Sequence, residues 1–294
     1  MTHSPRPLSL RGRTAVVTGA ARGVGEALAR ELARRGARVA LLGREEATLR
    51  RVASSLPTEA LCRSVDVTDD DAMARVAADV RERLGEVSIV VANAGIAEGG
   101  PFADSDPAIW RRVIEVNLVG SSITARSYLP DLLASRGYYL QIASLASIGA
   151  APMMSSYCAS KAGVESFAHS LRAELAPHHV AVGIAYLNWT DTDMIAGVDQ
   201  HPVLRELRAH MPPPARKVHP VGWVAARLAV AVERRSSAVY VPTWLRAAQL
   251  VRAALPAVVT QLSRRELPRL AARTPFEATG LLGAGGRADE GRPP

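Results

Sequence analysis

The sequence predicts an α/β fold: a single doubly wound domain with a parallel sheet, followed by a C-terminal helical extension. Short aliphatic runs rich in β-branched residues alternate with helical patterns up to about residue 242, and no shift in composition separates them. Such alternation is typical of a parallel sheet with helices on both faces. The first aliphatic run also leads straight into a glycine-rich turn. With 294 residues, 48% of them hydrophobic, the chain can bury a sizeable core.

The first strand is predicted at residues 14–17, and the turn that follows carries Gly19, Gly23 and Gly25. A helical pattern then runs to Gly36. A strand, a glycine-rich turn and a helix in this order point backbone N–H groups and a helix N-terminus at a phosphate. The spacing is GxxxGxG rather than the GxGxxG of the common dinucleotide fingerprint, so the flanking strand and helix are what favour nucleotide binding.

The second predicted strand ends at Gly43 and Arg44. Dinucleotide folds place an acid near this point to hold the adenosine ribose of NAD, whereas this chain has glycine and then arginine. Arg44, together with Arg22 in the turn, can instead make forked contacts to a 2′-phosphate. We therefore expect NADP(H) to be preferred, with NAD(H) as the alternative. The simpler interpretation of Arg44 is an ion pair with Glu45 or Glu46, which follow it.

Two further strands are predicted at residues 60–68 and 88–91. Asp66, at the end of the first, either hydrogen-bonds the adenine amino group or caps the helix that follows it. The second leads into small residues at 93–95, which allow a flat ligand to approach closely. Because ligands of parallel α/β sheets bind at the carboxyl ends of the strands, we expect these residues and the glycine turn to share one site.

Tyr157 and Lys161 lie four residues apart, which places both side chains on one face of a helix. A neighbouring ammonium favours the phenolate, so we expect the pKa of Tyr157 to be lowered from about 10. A tyrosine of this kind exchanges a proton with an alcohol or carbonyl oxygen. The simpler interpretation is a surface pair without a role, so the prediction depends on a cofactor site elsewhere in the chain.

Several motifs in a fixed order therefore need a common explanation: Thr18-Gly19-x-x-x-Gly23-x-Gly25, Ala92-Asn93-Ala94-Gly95, Asn117, Ser144 and Tyr157-x-x-x-Lys161. In these residues, over about positions 8–242, the chain resembles the short-chain dehydrogenase/reductase family. The resemblance implies a Rossmann-like fold and NAD(P)(H)-dependent interconversion of an alcohol and a carbonyl. Taken alone, Ser144 is a strand-end cap and Asn117 a buried helix residue.

The resemblance implies a role for each catalytic residue. Tyr157 would be the general acid/base, and Lys161 would lower its pKa and bind the nicotinamide ribose. Ser144 would hydrogen-bond the substrate oxygen, and Asn117 would position a water that relays protons to Lys161. The expected cofactor-binding residues are Gly19, Ala21, Arg22, Gly23, Val24, Gly25, Arg44, Asp66, Val67, Asn93, Ala94, Gly95, Tyr157, Lys161, Thr190 and Thr192.

The chain departs from the family pattern at two places. Ala92 stands where the family often has asparagine, and Leu187-Asn188 replaces the usual Pro-Gly after the sixth strand. We expect the segment after this strand to lie over the nicotinamide, with Thr190 or Thr192 contacting the carboxamide or the pyrophosphate. Trp189 would form a wall of the pocket.

Residues 195–220 are rich in proline and, by the resemblance, would cover the substrate as a lid. The pocket candidates are apolar, so we expect a largely apolar small-molecule substrate. They are Leu145, Met153, Met154, Trp189 and Met194. His201, His210 and His219 lack regular metal-ligand spacing, so no metal site is expected.

A helical stripe continues past the last predicted strand, at residues 238–241, and Pro256 should kink or break it. This extension, residues 243–273, carries six arginines between 246 and 273 against the single acid Glu266. It packs on its own subunit, joins a subunit interface, or contacts an anionic membrane through residues 244–273. Residues 274–294 lose periodicity, and we expect a disordered tail there.

The net charge of +8 is spread along the chain, so we expect no nucleic-acid partner. Two cysteines, Cys62 and Cys158, and the lack of an apolar leader favour a cytoplasmic protein. The family resemblance implies a homodimer or homotetramer formed through helices around 108–136 and 157–177. The alternative to an enzyme is a non-catalytic protein that binds NADP(H) as a sensor or scaffold.

Overall fold

The computed structural model describes residues 8–290, and within them seven strands form one parallel sheet in the order β3-β2-β1-β4-β5-β6-β7. The strands are β1 (Thr14–Thr18), β2 (Arg38–Gly43), β3 (Ala60–Ser64), β4 (Val87–Ala92), β5 (Tyr138–Ile142), β6 (Ala181–Leu187) and β7 (Ala238–Val241). The predicted fold class is confirmed. The third strand ends earlier than expected, at Ser64 rather than near residue 68.

Helices connect the strands and cover both faces of the sheet. They are α1 (Gly23–Arg34), α2 (Glu46–Ser54), α3 (Asp70–Leu84), α4 (Pro107–Ile114), α5 (Gly120–Ser135), α6 (Leu145–Ile148), α7 (Ser155–Leu175), α8 (Asp193–Gln200), α9 (Pro202–Ala209), α10 (Pro213–Arg216), α11 (Val221–Glu233), α12 (Leu245–Leu250), α13 (Leu255–Ala271) and α14 (Gly283–Glu290).

Each central strand contributes to two apolar cores because its successive side chains point to opposite faces. On β1, Val17 belongs to the cluster that contains Leu28 of α1 and Leu228 of α11. Val16 belongs to the opposite cluster, which contains Met73 of α3 and other residues of α5 and α7. Both faces of the sheet are therefore buried, which explains why the strands consist of continuous aliphatic residues rather than alternating ones.

The strand order reverses between β1 and β4, which lie side by side although β2 and β3 intervene in the sequence. The two strands are in register near their carboxyl ends, where Val17 pairs with Val91. The glycine-rich turn after β1 and the segment after β4 therefore emerge next to each other. A crevice at such a switch point is where open α/β sheets bind their ligands.

The extension packs on the rest of the chain through α12 and the residues up to the start of α13. Leu245 is fully buried, and Arg252 forms an ion pair with Glu165 of α7 at 2.8 Å. The helical stripe is interrupted before Pro256, as predicted, and Pro256 lies in the first turn of α13. Val258 and Leu262 on α13 stay about half exposed.

Residues 274–290, which we call the C-terminal segment, are ordered against the body, so the expectation of disorder is wrong for them. Leu281 makes an antiparallel bridge with Glu98, and the Leu282 N–H donates to the carbonyl of Ala97 at 2.7 Å. Both leucines are buried, and burial of apolar side chains offsets the entropy lost on ordering the segment. Residues 291–294 of the predicted tail lie outside the described residues.

The segment then forms α14, which packs against α8. A Cβ atom at Gly197 of α8 would lie 2.8 Å from the backbone nitrogen of Gly283, so the close approach depends on glycine at that position. Glycine and alanine make up most of α14, so the sequence gives little indication of a helix there. Across residues 8–290, no helix combines the length and the apolar character needed to cross a membrane.

Candidate active site

The glycine-rich turn after β1 depends on its glycines for backbone geometry. Gly19 and Gly23 have φ angles of +63° and +58°, a region that favours glycine. A Cβ atom at Gly25 would lie 2.2 Å from the carbonyl oxygen of Gly19, so no side chain fits there. α1 begins at Gly23, which directs its free N–H groups toward the crevice.

Asn93 holds the glycine turn against the end of β4. Its side-chain amide donates to the carbonyl oxygens of Thr18, at 2.9 Å, and Gly19, at 3.2 Å. The hydroxyl of Thr18 in turn accepts from the backbone N–H groups of Asn93 and Ala94. Asn93 therefore fixes the shape of the glycine turn.

Tyr157 and Lys161 lie on α7, and Ser144 caps the N-terminus of α6 directly after β5. The hydroxyl of Ser144 accepts from the Ala146 N–H at 3.1 Å. Lys161 is 5% exposed, and its ammonium donates to the carbonyl of Ile142, also near the end of β5, at 3.1 Å. The ends of α7 and β5 thus bring the predicted serine, tyrosine and lysine to one wall of the crevice.

Asn117 lies in a π-helical segment, Glu115–Val119, between α4 and α5, and is 1% exposed. Its amide oxygen accepts from the Ile96 N–H at 2.8 Å, and its amide nitrogen donates to the Ile96 carbonyl and to Ser160, both at 2.9 Å. Ser160 donates to the carbonyl of Tyr157 at 2.8 Å. Asn117 therefore positions α7 and the segment after β4, and π-bulges of this kind are common at functional sites.

The expected lowering of the Tyr157 pKa is wrong. Burial raises the pKa of Tyr157 to about 12, although a hydrogen bond with Ser144 opposes the shift. The Lys161 nitrogen lies 5.7 Å from the centre of the tyrosine ring and donates to a backbone carbonyl instead. Burial also lowers the pKa of Lys161 itself to about 8, because a buried ammonium loses its hydration.

A cavity of about 260 Å³ runs along the crevice from Arg44 past the glycine turn to Tyr157 and Lys161. All the predicted catalytic and cofactor-binding residues line it except Gly25 and Asn117. Backbone N–H groups of the turn, guanidinium groups at one end and an ammonium at the other form a donor set that fits a dinucleotide with its phosphates. Across residues 8–290, no three His, Cys, Asp or Glu side chains are grouped to hold a metal ion.

Asp66 faces Arg112 of α4 in the part of the cavity that Arg44 also lines, and it does not cap α3, because Asp69 does so. Its carboxylate accepts from the N–H and hydroxyl of Thr68 and pairs with Arg112 at 2.6 Å. Burial alone would raise the pKa of Asp66, but these hydrogen bonds outweigh it and lower the pKa. Arg112 was not predicted from the sequence, since nothing in its helix distinguishes it from the many other arginines.

The two arginines predicted to bind phosphate both have acidic partners. Arg22 pairs with Glu45 at 2.5 Å and approaches Asp193 at 3.4 Å. Arg44 does not pair with its sequence neighbours; it pairs at 2.5 Å with Asp289 of the C-terminal segment. Asp289 also went unpredicted, because it comes from the part of the chain for which disorder was expected.

Asn188, which stands at the position of glycine in the family pattern, connects the end of β6 to the proline-rich residues 195–220 by hydrogen bonds. Its amide nitrogen donates to the carbonyls of Ala215, at 3.1 Å, and Lys217, at 3.2 Å. The hydroxyl of Thr190 turns back to the carbonyl of Asn188, and that of Thr192 to the carbonyl of Thr190. Both threonines line the cavity, as expected.

Tyr157 packs against an apolar cluster. The cluster contains four of the five predicted pocket residues together with residues of α8, α9 and the C-terminal segment: Met153, Met154, Trp189, Met194, Val198, Leu204 and Leu282. Leu145, the fifth, packs instead on the main core below the sheet. Tyr157 is thus packed against mainly hydrophobic side chains.

The family model described as short chain dehydrogenase matches residues 13–202. The galactitol 2-dehydrogenase (L-tagatose-forming) of Cereibacter sphaeroides is 35% identical over 226 residues, which cover 76% of this chain and 89% of that protein. The cis-4-hydroxycyclohexanecarboxylate dehydrogenase of Sinomonas cyclohexanicum is 36% identical over 190 residues, 63% of this chain and 76% of that protein.

A solved structure leads to the same family. A short-chain type dehydrogenase/reductase from Mycobacterium marinum superposes with a TM-score of 0.71 at 25% sequence identity, over 79% of this chain and 94% of that one. The glycine turn, the serine, the tyrosine and the lysine lie along one cavity, and sequence and fold both match this group. The chain belongs to the short-chain dehydrogenase/reductase family.

Proposed function

We propose that the protein is an NADP(H)-dependent oxidoreductase that interconverts a carbonyl and an alcohol on a largely apolar small molecule. The observation that carries the proposal is the convergence of Tyr157, Ser144 and Lys161 on the cavity that the glycine turn also lines. A bound nicotinamide supplies or accepts the hydride in such a reaction. The chain itself has to hold the substrate oxygen and move a proton.

Tyr157 is the proton donor in the reduction direction. With a pKa of about 12, its phenol is protonated at neutral pH and ready to donate to an oxygen that gains negative charge. Ser144 donates a second hydrogen bond to that oxygen and so stabilises the developing charge. Lys161 contributes a buried positive charge beside the ring, and Asn117 fixes the backbone on which Tyr157 and Ser160 lie.

The apolar cluster around Tyr157 supports an apolar substrate. Two relatives bear names that indicate contrasting substrates, a cyclohexane carboxylate and a sugar alcohol. We expect cyclic and aryl ketones to be reduced at a higher kcat/KM than polyols such as galactitol are oxidised, since a hydrophobic wall leaves polyol hydroxyls without partners. A panel of both classes, monitored by NADPH and NADH absorbance, tests this; faster turnover of polyols would contradict the apolar assignment.

The preference for NADP(H) rests on Arg44 and on the glycine that precedes it. Replacing Arg44 by Ala is expected to weaken NADPH binding about tenfold or more, because charge-assisted hydrogen bonds to the 2′-phosphate are lost. NADH binding should change by less than about twofold. Arg50→Ala, on the exposed side of α2, is the matched control. Dissociation constants from nicotinamide fluorescence give both values, and an unchanged ratio removes Arg44 from the proposal.

The alternative function, a sensor or scaffold that binds NADP(H) without turnover, makes the opposite prediction for the same substrate panel. Such a protein binds the cofactor but shows no substrate-dependent change in its absorbance. The presence of serine, tyrosine and lysine on one wall of the cavity favours the enzyme.

We also propose a cytoplasmic homodimer or homotetramer that uses the surfaces of α4, α5 and α7. Val119 and Leu133, which are 43% and 37% exposed, support an interface there. The outer side of the extension, where Val258 and Leu262 adjoin arginines, is the proposed place of any anionic-membrane contact. Sedimentation with and without anionic vesicles tests both proposals: a monomer contradicts the first, and the absence of salt-sensitive vesicle binding contradicts the second.

A further inference from the structure

The C-terminal segment occupies the donors of Arg44. One terminal nitrogen of the guanidinium pairs with the carboxylate of Asp289 at 2.5 Å, and the other donates to the carbonyl of Gly285 at 3.3 Å. Arg44 itself closes β2 at the adenosine end of the cavity, and both Gly285 and Asp289 line that cavity. The residue with the best chemistry for a 2′-phosphate is therefore held by a distant part of its own chain.

Asp289 is fixed where it lies. Its side chain is 5% exposed, and besides Arg44 it receives a forked contact from Arg112, with distances of 2.9 and 3.0 Å. Arg112 is held in turn by Asp66. Two carboxylates and two guanidinium groups thus form a chain of ion pairs beside the cavity, in the order Arg44, Asp289, Arg112 and Asp66. The carboxylate is held in place independently of Arg44, because Arg112 anchors it as well.

A 2′-phosphate and the carboxylate of Asp289 would bind the same guanidinium donors of Arg44. A phosphomonoester carries a charge of about −1.5 to −2 at neutral pH and seeks forked arginine donors. On Arg44 it would have to displace the carboxylate or lie against it, and like charges repel strongly where burial limits screening. A cofactor with a free 2′-hydroxyl meets neither obstacle. Gly43 stands where an NAD-binding fold would have an acid at the end of β2. The fold nevertheless places the carboxylate of Asp289 against the next residue, Arg44.

We propose that Asp289 is a specificity-determining residue for the cofactor, because its carboxylate competes with a 2′-phosphate for Arg44. The inference rests on the proposed function, in which Arg44 receives that phosphate. Asp289 lowers the affinity for NADP(H) and leaves that for NAD(H) nearly unchanged. The C-terminal segment, outside the strands and helices of the dinucleotide fold, therefore sets how strongly the protein discriminates between the two cofactors.

The test measures binding of two fragments, 2′,5′-ADP and 5′-AMP, which differ only in the 2′-phosphate. Titration calorimetry on the full chain compares wild type with Asp289→Asn, which keeps the shape of the side chain and removes its charge. We expect 2′,5′-ADP to bind about tenfold more tightly to the variant, with 5′-AMP changed by less than about twofold. Asp289→Glu, which retains the charge, should bind both fragments as wild type does.

Two controls separate this effect from a general change in charge or order. Glu277→Gln removes one negative charge from an exposed position of the same segment and should change neither affinity. Rates of limited proteolysis and the melting temperature report whether the segment stays docked in Asp289→Asn. NADPH and NADH titrations monitored by fluorescence should reproduce the shift found with the fragments.

A double variant distinguishes failure of this inference from failure of the proposed function. If Arg44 receives the phosphate, Arg44→Ala weakens 2′,5′-ADP binding in the wild-type background, and adding Asp289→Asn then changes nothing further. No effect of Arg44→Ala would remove the proposed phosphate site itself. An effect of Arg44→Ala together with an unchanged 2′,5′-ADP to 5′-AMP ratio in Asp289→Asn would overturn the role of Asp289 alone. An equal shift for both fragments, with faster proteolysis, would reduce Asp289 to an anchor of the segment.

Discussion

Replacing Tyr157 by Phe is expected to lower kcat for carbonyl reduction by about 10² to 10⁴-fold while leaving cofactor binding nearly unchanged. The variant keeps the ring that packs in the apolar cluster and loses only the hydroxyl that donates the proton. Ser144 and Lys161 remain and support the residual rate. The measurement uses the best ketone from the substrate panel, with NADPH and NADH affinities determined separately by fluorescence.

Tyr240→Phe is the matched control, because Tyr240 is also partly buried but lies on β7, where its ring stacks on Tyr186 at 4.9 Å between centroids. It should turn over ketone at the wild-type rate. Reduction by the Tyr157 variant at the wild-type rate would show that another group supplies the proton and that the catalytic assignment is incorrect. A loss of cofactor binding equal to the loss of rate would assign the hydroxyl to binding.

The fold and most of the site follow from features that are local in the sequence. Gly19 belongs to a strand–turn–helix unit that is recognisable within a dozen residues, and Tyr157 and Lys161 share one helix face. Parallel strands bring all their carboxyl ends to the same edge of a sheet, so residues after β1, β4 and β5 meet without further information. Local patterns and this one topological rule are enough to place Asn93 and Ser144 along the same cavity as the glycine turn.

Local sequence patterns do not predict contacts between distant parts of the chain. Asp289 reaches Arg44 because two buried leucines and a row of glycines dock the C-terminal segment in the cleft. The sequence of the segment has no periodicity that would predict this docking, and its composition alone indicates disorder. The direction of the Tyr157 pKa shift has the same origin, since spacing predicts a nearby ammonium but says nothing about how much water the fold removes from the phenol.

Lys161→Met is expected to abolish most of the activity and yet to make the free protein more stable at neutral pH. Burial lowers the pKa of Lys161 from 10.5 to about 8, so the folded state holds the ammonium less favourably than the unfolded state does. The free-energy cost of folding with this ammonium buried is at its maximum below pH 8. It falls as pH rises and vanishes above about 10.5. Methionine has a similar apolar stem and carries no charge to desolvate.

The difference in unfolding free energy between Lys161→Met and wild type should therefore depend on pH. We expect the variant's relative stability to fall by about 2 kcal/mol between pH 6.5 and pH 9.5, as the wild-type lysine loses its proton in the folded state. Urea denaturation at both pH values measures this, and groups common to the two proteins cancel. Lys217→Met, at the only other lysine of the chain and on the surface, should show no such dependence.

The outcome decides what the burial of Lys161 is for. A variant that is inactive but more stable at pH 6.5 would show that the fold keeps a destabilising charge in the crevice because the reaction needs it. A variant that is less stable than wild type at both pH values would mean that the hydrogen bond from Lys161 to Ile142 outweighs the desolvation of the ammonium. In that case the lysine would serve the structure of the cleft as well as its chemistry, and its loss of activity would no longer isolate a catalytic role.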